Sequence, residues 1–285
     1  MSKTIQRLLM FSIGLPSVFA VVFFLPHSHH LAANIVTIIA SALGAIEFAD
    51  MLSRKGYSLP KWEAAMFGAL LPLASTIRVS FRISGDWEFI AAVAASLWIV
   101  SSRVLAPHRV LETVIERVAS AFSVLMYPGA FLVWIVRINS DPNATLLLLL
   151  FFLMVFGNDS AAWTLGMTLG KGNRGFIPAS PNKSIAGFIG GLATSIVMGI
   201  IAAVLFPNIL VPRFFTASFS GALVGLFCGL AGIVGDLAES TIKRSADMKD
   251  SGFIIPGRGG IMDSIDSIAF AAPIYLAAYT LLFRV

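Results

Sequence analysis

Long apolar runs separated by short polar breaks organise the chain from one end to the other. Crossing a bilayer takes about 20 predominantly apolar helical residues. Nine stretches approach or exceed that length: 8–26, 31–52, 62–80, 87–106, 115–137, 144–170, 185–206, 215–245 and 264–284. The sixth and eighth are long enough to project beyond the bilayer or to carry a break. Strict apolar/polar alternation is absent, which argues against a β-barrel, and an open sheet could not satisfy its backbone in lipid. The expected fold is all-α: a polytopic integral membrane protein of about nine transmembrane helices. The stretch from Leu8 to Pro26 follows Lys3 and Arg7 in the manner of a signal peptide, but no small-x-small site precedes His27, so it reads as the first membrane helix.

Composition agrees with this pattern. Hydrophobic residues make up 57% of the 285 positions and charged residues 12%, against about 25% charged in a soluble domain. No polar stretch is long enough to build a sizeable aqueous domain. The net charge of +5 is no sign of a nucleic-acid partner, because in a membrane chain the placement of Lys and Arg carries the information. With the N-terminus cytoplasmic, Arg78, Arg82, Arg137, Arg213 and Arg284 fall outside and the other 15 of the 20 basic residues fall inside. The bias favours that orientation and puts the two longest polar loops, 171–184 and 245–262, on the cytoplasmic side. No internal repeat is visible, so residues 1–285 read as a single membrane domain. Residues 1–140 are its scaffold, with roles in dimerisation and lipid access, and residues 141–285 its catalytic half.

Ionisable residues within membrane spans are costly and usually functional. Asp236, Glu239, Ser240 and Lys243 recur at helical spacing on one face. Asp263 and Asp266, three apart, share a face at the start of the last span. Between these groups lie Lys243, Arg244, Lys249, Asp250, Arg258 and the Gly259-Gly260 pair. Hard oxygen donors from two helices suit Mg²⁺, which bridges phosphates, and the basic residues add charge for a polyphosphate. The glycine pair allows close backbone approach to a phosphate, with N–H groups aimed at it. Asp263 lies near a helix N-terminus, where the dipole favours its ionised form. A second polar block comprises Asn158-Asp159 and the turn Ser180-Pro181-Asn182-Lys183-Ser184, a candidate phosphate contact.

Other features have plainer readings. Gly166-x-x-x-Gly170-Lys171 lacks the spacing and the Ser/Thr of a P-loop. Gly166/Gly170, Gly187/Gly191 and Gly225/Gly229 read as close-packing helix pairs. Asp50 is expected to pair locally with Arg54 at i+4, with Glu47 beside it. His27, His29 and His30 read as an outer loop, and Cys228, the single cysteine, as a core residue with no disulfide. His108 is isolated, so no protein nucleophile is expected.

The run Ser240-x-Ile242-Lys243-Arg244, Lys249-Asp250-x-Gly252, Ile255-Pro256-x-Arg258-Gly259-Gly260-Ile261-x-Asp263-Ser264-Ile265-Asp266 resembles the C-terminal signature of the phosphatidate cytidylyltransferases, or CDP-diacylglycerol synthases. Asn158-Asp159 and Ser180–Ser184 with Gly187 resemble a second region of that family, so the likeness covers roughly the last 130 residues. It implies an inner-membrane enzyme, a homodimer, that joins the cytidylyl group of CTP to phosphatidic acid at the cytoplasmic face, using Mg²⁺ and a monovalent ion such as K⁺. Asp236, Asp263 and Asp266 are the implied metal ligands. Lys243, Lys249 and Asp250 are implied to line the catalytic cavity. Asp159, Ser180, Lys183, Ser240, Arg244, Arg258, Gly259 and Gly260 are the expected substrate contacts. Two other readings share the pattern: a CTP-dependent lipid kinase or cytidylyltransferase for another lipid, and a cation-coupled secondary transporter.

The chain departs from the family at two places: Arg258 stands where the family usually has His, and Ser264 where it has Arg. One guanidinium near the site of another's loss is expected to compensate. Activities of Arg258→His, Ser264→Arg and the double variant test this: compensation gives a non-additive double variant, and purely additive losses exclude it.

Overall fold

The computed structural model describes residues 10–104, 111–255 and 257–283. Lys3, Arg7, His108, Arg109, Pro256 and Arg284 lie outside the described residues, as do the outer ends of the first, fourth and ninth expected spans. Among the described residues the extended pairings are two isolated bridges, Arg174 with Ser184 and Ile255 with Gly259. The regular elements are helical: α1 (Leu15–Phe24), α2 (His27–Ser53), α3 (Lys61–Ser80), α4 (Trp87–Ser101), α5 (Val114–Val124), α6 (Phe131–Ile138), α7 (Ala144–Thr168), α8 (Ile185–Leu205), α9 (Ala217–Ser245) and α10 (Met262–Leu282). Short π-helical turns precede α1 and join α5 to α6.

Six segments among the described residues are long and apolar enough to cross a membrane: α2, the α5–α6 run, α7, α8, α9 and α10. The chain is therefore a multi-pass, all-helical membrane protein. The other three expected spans are also helical, but α1 and α4 have 10 and 15 residues. At ~1.5 Å per residue these described lengths are shorter than a ~30 Å hydrocarbon core, and both expected spans continue into residues outside the described ones. Helix α3 has 20 residues but carries Lys61, Glu63 and Arg78. The two longest expected spans, α7 and α9, are unbroken helices of 25 and 29 residues. At ~43 Å, α9 outreaches the hydrocarbon by about two and a half turns.

The chain divides into two compact units. One comprises residues 1–141 and 245–265, so the second polar loop joins the N-terminal helices. Its core is built where α2 meets α3. A Cβ on Gly68 would lie 2.6 Å from the carbonyl oxygen of Ser41, and the Ser41 hydroxyl donates to the Gly68 carbonyl at 2.6 Å. Phe48, Phe67, Leu71 and Val124 are among the buried residues of this unit. Three arginines of the unit are paired with glutamates. Arg103 meets Glu63 at 2.6 Å, Arg78 meets Glu88 at 2.9 Å and Arg137 meets Glu88 at 3.5 Å. The histidines at the start of α2 are tied into this unit: His29 accepts from Arg82 Nε at 3.1 Å, and its Nδ1 lies 3.3 Å from the carbonyl of Asn139. Ser28, His29 and His30 have left-handed backbone, so the regular turns of α2 start at Leu31.

The other unit comprises residues 142–244 and 266–285. Here the small-residue pairs act as packing surfaces. On α8, Gly187 and Gly191 lie against Ala162 and Asn158 of α7. On α9, Gly225 lies against Ser195 of α8 and Gly229 against Asn158. Buried Asn158 joins the three helices, donating to Ser195 Oγ at 3.2 Å and to the Gly229 carbonyl at 3.4 Å, while Ser195 donates to the Met154 carbonyl at 3.0 Å. Ser184 caps α8 by accepting from the Gly187 N–H at 3.1 Å.

A Cβ on Gly225 would strike the carbonyl of Ser195, with Ile196 Cα 2.8 Å away. Gly225→Val is expected to destabilise the unit by about 1–3 kcal/mol. A lowered thermal midpoint in detergent checks this, and an unchanged midpoint excludes the close contact.

Candidate active site

A buried carboxylate needs an answering donor or cation, and each unit holds such groups. In the unit containing α7–α9, Asp266 on α10 is 5% exposed. Its closest electrostatic neighbours are Asp236 and Glu239 of α9 and Asp159 of α7. Its Oδ1 also accepts from the Ser267 N–H at 2.5 Å. Two lysines answer the acids: Lys183 forms an ion pair with Asp236, and Lys243 with Glu239, one turn earlier on α9. The helical stripe thus places Asp236, Glu239 and Lys243 together as its spacing requires. Asp159, expected among substrate contacts, is an electrostatic neighbour of Asp266 in this cluster. Glu239 is not among the expected site residues; its position on the stripe is the signal that points to it.

The loop before α8 brings more of the expected residues to this cluster. Ser180 and Lys183 close a turn, with the Lys183 N–H donating to the Ser180 carbonyl at 3.1 Å. Arg244 Nε donates to the Ala179 carbonyl at 3.3 Å, so the end of α9 is fastened to the same turn. The Lys183 ammonium also lies 5.9 Å from the centre of the Phe188 ring. Ser240 is half-buried on α9.

In the other unit, the loop 246–261 is folded around two carboxylates. Asp263 Oδ2 accepts from the Ser251 N–H, the Ser251 hydroxyl and the Gly260 N–H, each at 2.8 Å. Glu47 of α2, 5% exposed, accepts from the Ser251 hydroxyl at 3.0 Å, the Ile261 N–H at 3.1 Å and the Met262 N–H at 2.8 Å. The glycine pair therefore serves the loop itself: the Gly260 N–H goes to Asp263, and the Gly259 N–H to the Ile255 carbonyl at 3.0 Å. Both were expected to face a phosphate. Asp50 makes its ion pair with Lys61 at 3.0 Å rather than with Arg54. Lys61 begins α3, so the inter-helix turn supplies a cation that local i+4 spacing does not reveal. Lys249, Asp250 and Arg258 are exposed, with Arg258 Nε donating to the Asp263 carbonyl at 3.3 Å. Ser264 donates to the Gly260 carbonyl at 3.4 Å. Lys55 meets Asp247 at 2.7 Å, and this ammonium holds the Asp247 carboxyl below its usual range.

The donor chemistry around Asp266 fits a hard divalent cation, since Asp159, Asp236, Glu239 and Asp266 offer only carboxylate oxygen. Among the described residues, however, no three His, Cys, Asp or Glu side chains stand together in an ion-holding arrangement. Two of the four acids are taken up by Lys183 and Lys243.

Helices long and apolar enough to cross a membrane, gathering acids and lysines, define a multi-pass membrane protein with a charged centre. The chain belongs to the cytidylyltransferase family, whose model matches residues 5–282. It is 32% identical over 213 residues to a phosphatidate cytidylyltransferase of Staphylococcus haemolyticus, a match covering 73% of this chain and 76% of that protein. It is 36% identical over 135 residues to one of Synechocystis, covering 47% of this chain and 43% of that protein. It is 38% identical over 120 residues to one of Bacillus subtilis, covering 42% of each. In the Synechocystis and Bacillus matches the chain thus spans less than half of the relative's length.

Gly259 has φ +120°, and a Cβ there would lie 2.5 Å from Asp263 Oδ2 and 3.1 Å from Asp250 Cβ. Gly259→Ala is expected to loosen the loop and speed tryptic cleavage after Arg258 in detergent. Cleavage at the unaltered rate contradicts this account of the turn.

Proposed function

We propose that this protein transfers the cytidylyl group of CTP to phosphatidic acid, giving CDP-diacylglycerol and pyrophosphate for phospholipid synthesis. The observation that carries this reading is the set of acids around Asp266 with its two paired lysines, within a chain whose family and named relatives point to that reaction. A phosphate oxygen of phosphatidic acid attacks the α-phosphorus of CTP. The P–O bond to the β-phosphate breaks, and pyrophosphate leaves with the displaced electron pair. No protein nucleophile takes part.

Asp236 and Asp266 would hold Mg²⁺, with Asp263, three residues earlier on α10, as the third acid implied by the family likeness. When bound, the ion neutralises charge on the phosphates. Lys183 and Lys243 exchange carboxylate for triphosphate as CTP enters. The family likeness further implies Arg244, Lys249 and Arg258 as sources of positive charge, and Asp159, Ser180, Ser240, Asp250, Gly259 and Gly260 as polar partners of the reaction. K⁺ is the second ion in this reading. The enzyme is a homodimer of the bacterial inner membrane, N-terminus in the cytoplasm, its polar loops facing cytoplasmic CTP while the acyl chains stay in lipid.

Purified protein supplied with CTP, phosphatidic acid and Mg²⁺ is expected to form CDP-diacylglycerol, with Asp236→Asn and Asp266→Asn each slowing turnover by about 10²-fold or more. Release of CDP with a phosphorylated lipid would mark a kinase instead. Near-normal rates in both variants would remove the acids from the reaction.

A further inference from the structure

We propose that Glu47, in the N-terminal half, is a positioning residue for the reaction: it fixes the loop that holds Asp263. The inference rests on the reading above, in which Asp263 serves nucleotidyl transfer. Three observations within one unit carry it.

The first is the set of donors. All three hydrogen bonds to Glu47 come from a single loop more than 200 residues away in sequence: Ser251 Oγ, Ile261 N and Met262 N. The last two are backbone groups at the start of α10, where helical N–H groups have no intrahelical acceptor. A side chain from α2 therefore caps α10, and its negative charge sits where the helix dipole favours it.

The second is the shared hydroxyl. Ser251 is 4% exposed, and its Oγ lies 3.0 Å from Glu47 Oε2 and 2.8 Å from Asp263 Oδ2. A hydroxyl has one proton to donate, so it serves one carboxylate at a time. The state of Asp263 is thereby linked to Glu47. When Asp263 turns its charge to another partner, the hydroxyl is free to satisfy Glu47, and the loop keeps its anchor.

The third is the absence of spare room. A Cβ on Gly260 would collide with Ser251 Oγ and Glu47, and a Cβ on Gly252 would collide with Glu47. The loop fits the carboxylate closely at both ends, as a purely solvated loop would not.

Glu47→Gln keeps the shape but presents an amide N–H₂ to backbone donors; Glu47→Asp keeps the charge on a shorter arm. Two measurements decide the matter. Amide hydrogen exchange in detergent is expected to quicken across residues 251–262 in Glu47→Gln, with partial recovery in Glu47→Asp. For CDP-diacylglycerol formation, kcat is expected to fall about 10- to 100-fold in Glu47→Gln while KM for CTP stays within about threefold. Unchanged exchange overturns the anchoring. Faster exchange with unaltered kcat overturns the positioning role and leaves the proposed reaction intact. No turnover in the unaltered protein removes the reaction and the positioning role together, while exchange still decides the anchoring. If Glu47→Gln is not recovered folded, Ser251→Ala probes the same link from the loop side, with the same faster exchange and a several-fold lower kcat expected.

Discussion

A carboxylate at the edge of a membrane persists only if hydrogen-bond donors or cations stand in for the water it has lost. That requirement runs through this molecule. In one unit it is met by lysines, with Lys183 against Asp236 and Lys243 against Glu239. In the other it is met largely by neutral donors, with Ser251, Ile261 and Met262 around Glu47 and Ser251 and Gly260 around Asp263. The difference matters chemically. A lysine can be drawn away by a stronger anion, whereas a backbone N–H fixed in a turn cannot. Acids answered by lysine suit exchange with a charged ligand, and Glu47, answered by two backbone N–H groups and a hydroxyl, suits holding a shape.

The loop between α9 and α10 shows how composition supports that shape. Gly259 adopts a backbone conformation that other residues take rarely, and Gly260 leaves space filled by Ser251 and Glu47. The same economy holds in the paired helices, where glycine brings α8 against both α7 and α9. In lipid, where no hydrophobic gain drives helices together, such backbone contact and the Asn158 hydrogen bonds supply the cohesion.

Much of this was legible from sequence because it is periodic. The stripe Asp236, Glu239, Ser240, Lys243 obeys helical spacing, and apolar length located the six helical segments among the described residues that are long and apolar enough to cross a membrane. Features set by distant contacts were not legible. Nothing local marks Glu47 as the partner of Ser251, since their approach depends on how α2 packs in its unit. The i+4 rule pointed Asp50 at Arg54, but the turn into α3 delivers Lys61 to it. A glycine pair beside basic residues reads as a phosphate cradle, yet its N–H groups are already engaged by Asp263 and Ile255.

The glycine contacts have a mechanical consequence. Where Gly199 meets Gly221 and Gly225 meets Ser195, no layer of side chains lies between the backbones to yield or repack. Side chains absorb strain by changing rotamer; touching main chains have no such freedom. Helices α7, α8 and α9, further pinned by Asn158, therefore shift as one stiff block. The separation of Asp159 on α7 from Asp236 on α9 is set by that stiffness, like the gap between teeth cut from a single plate.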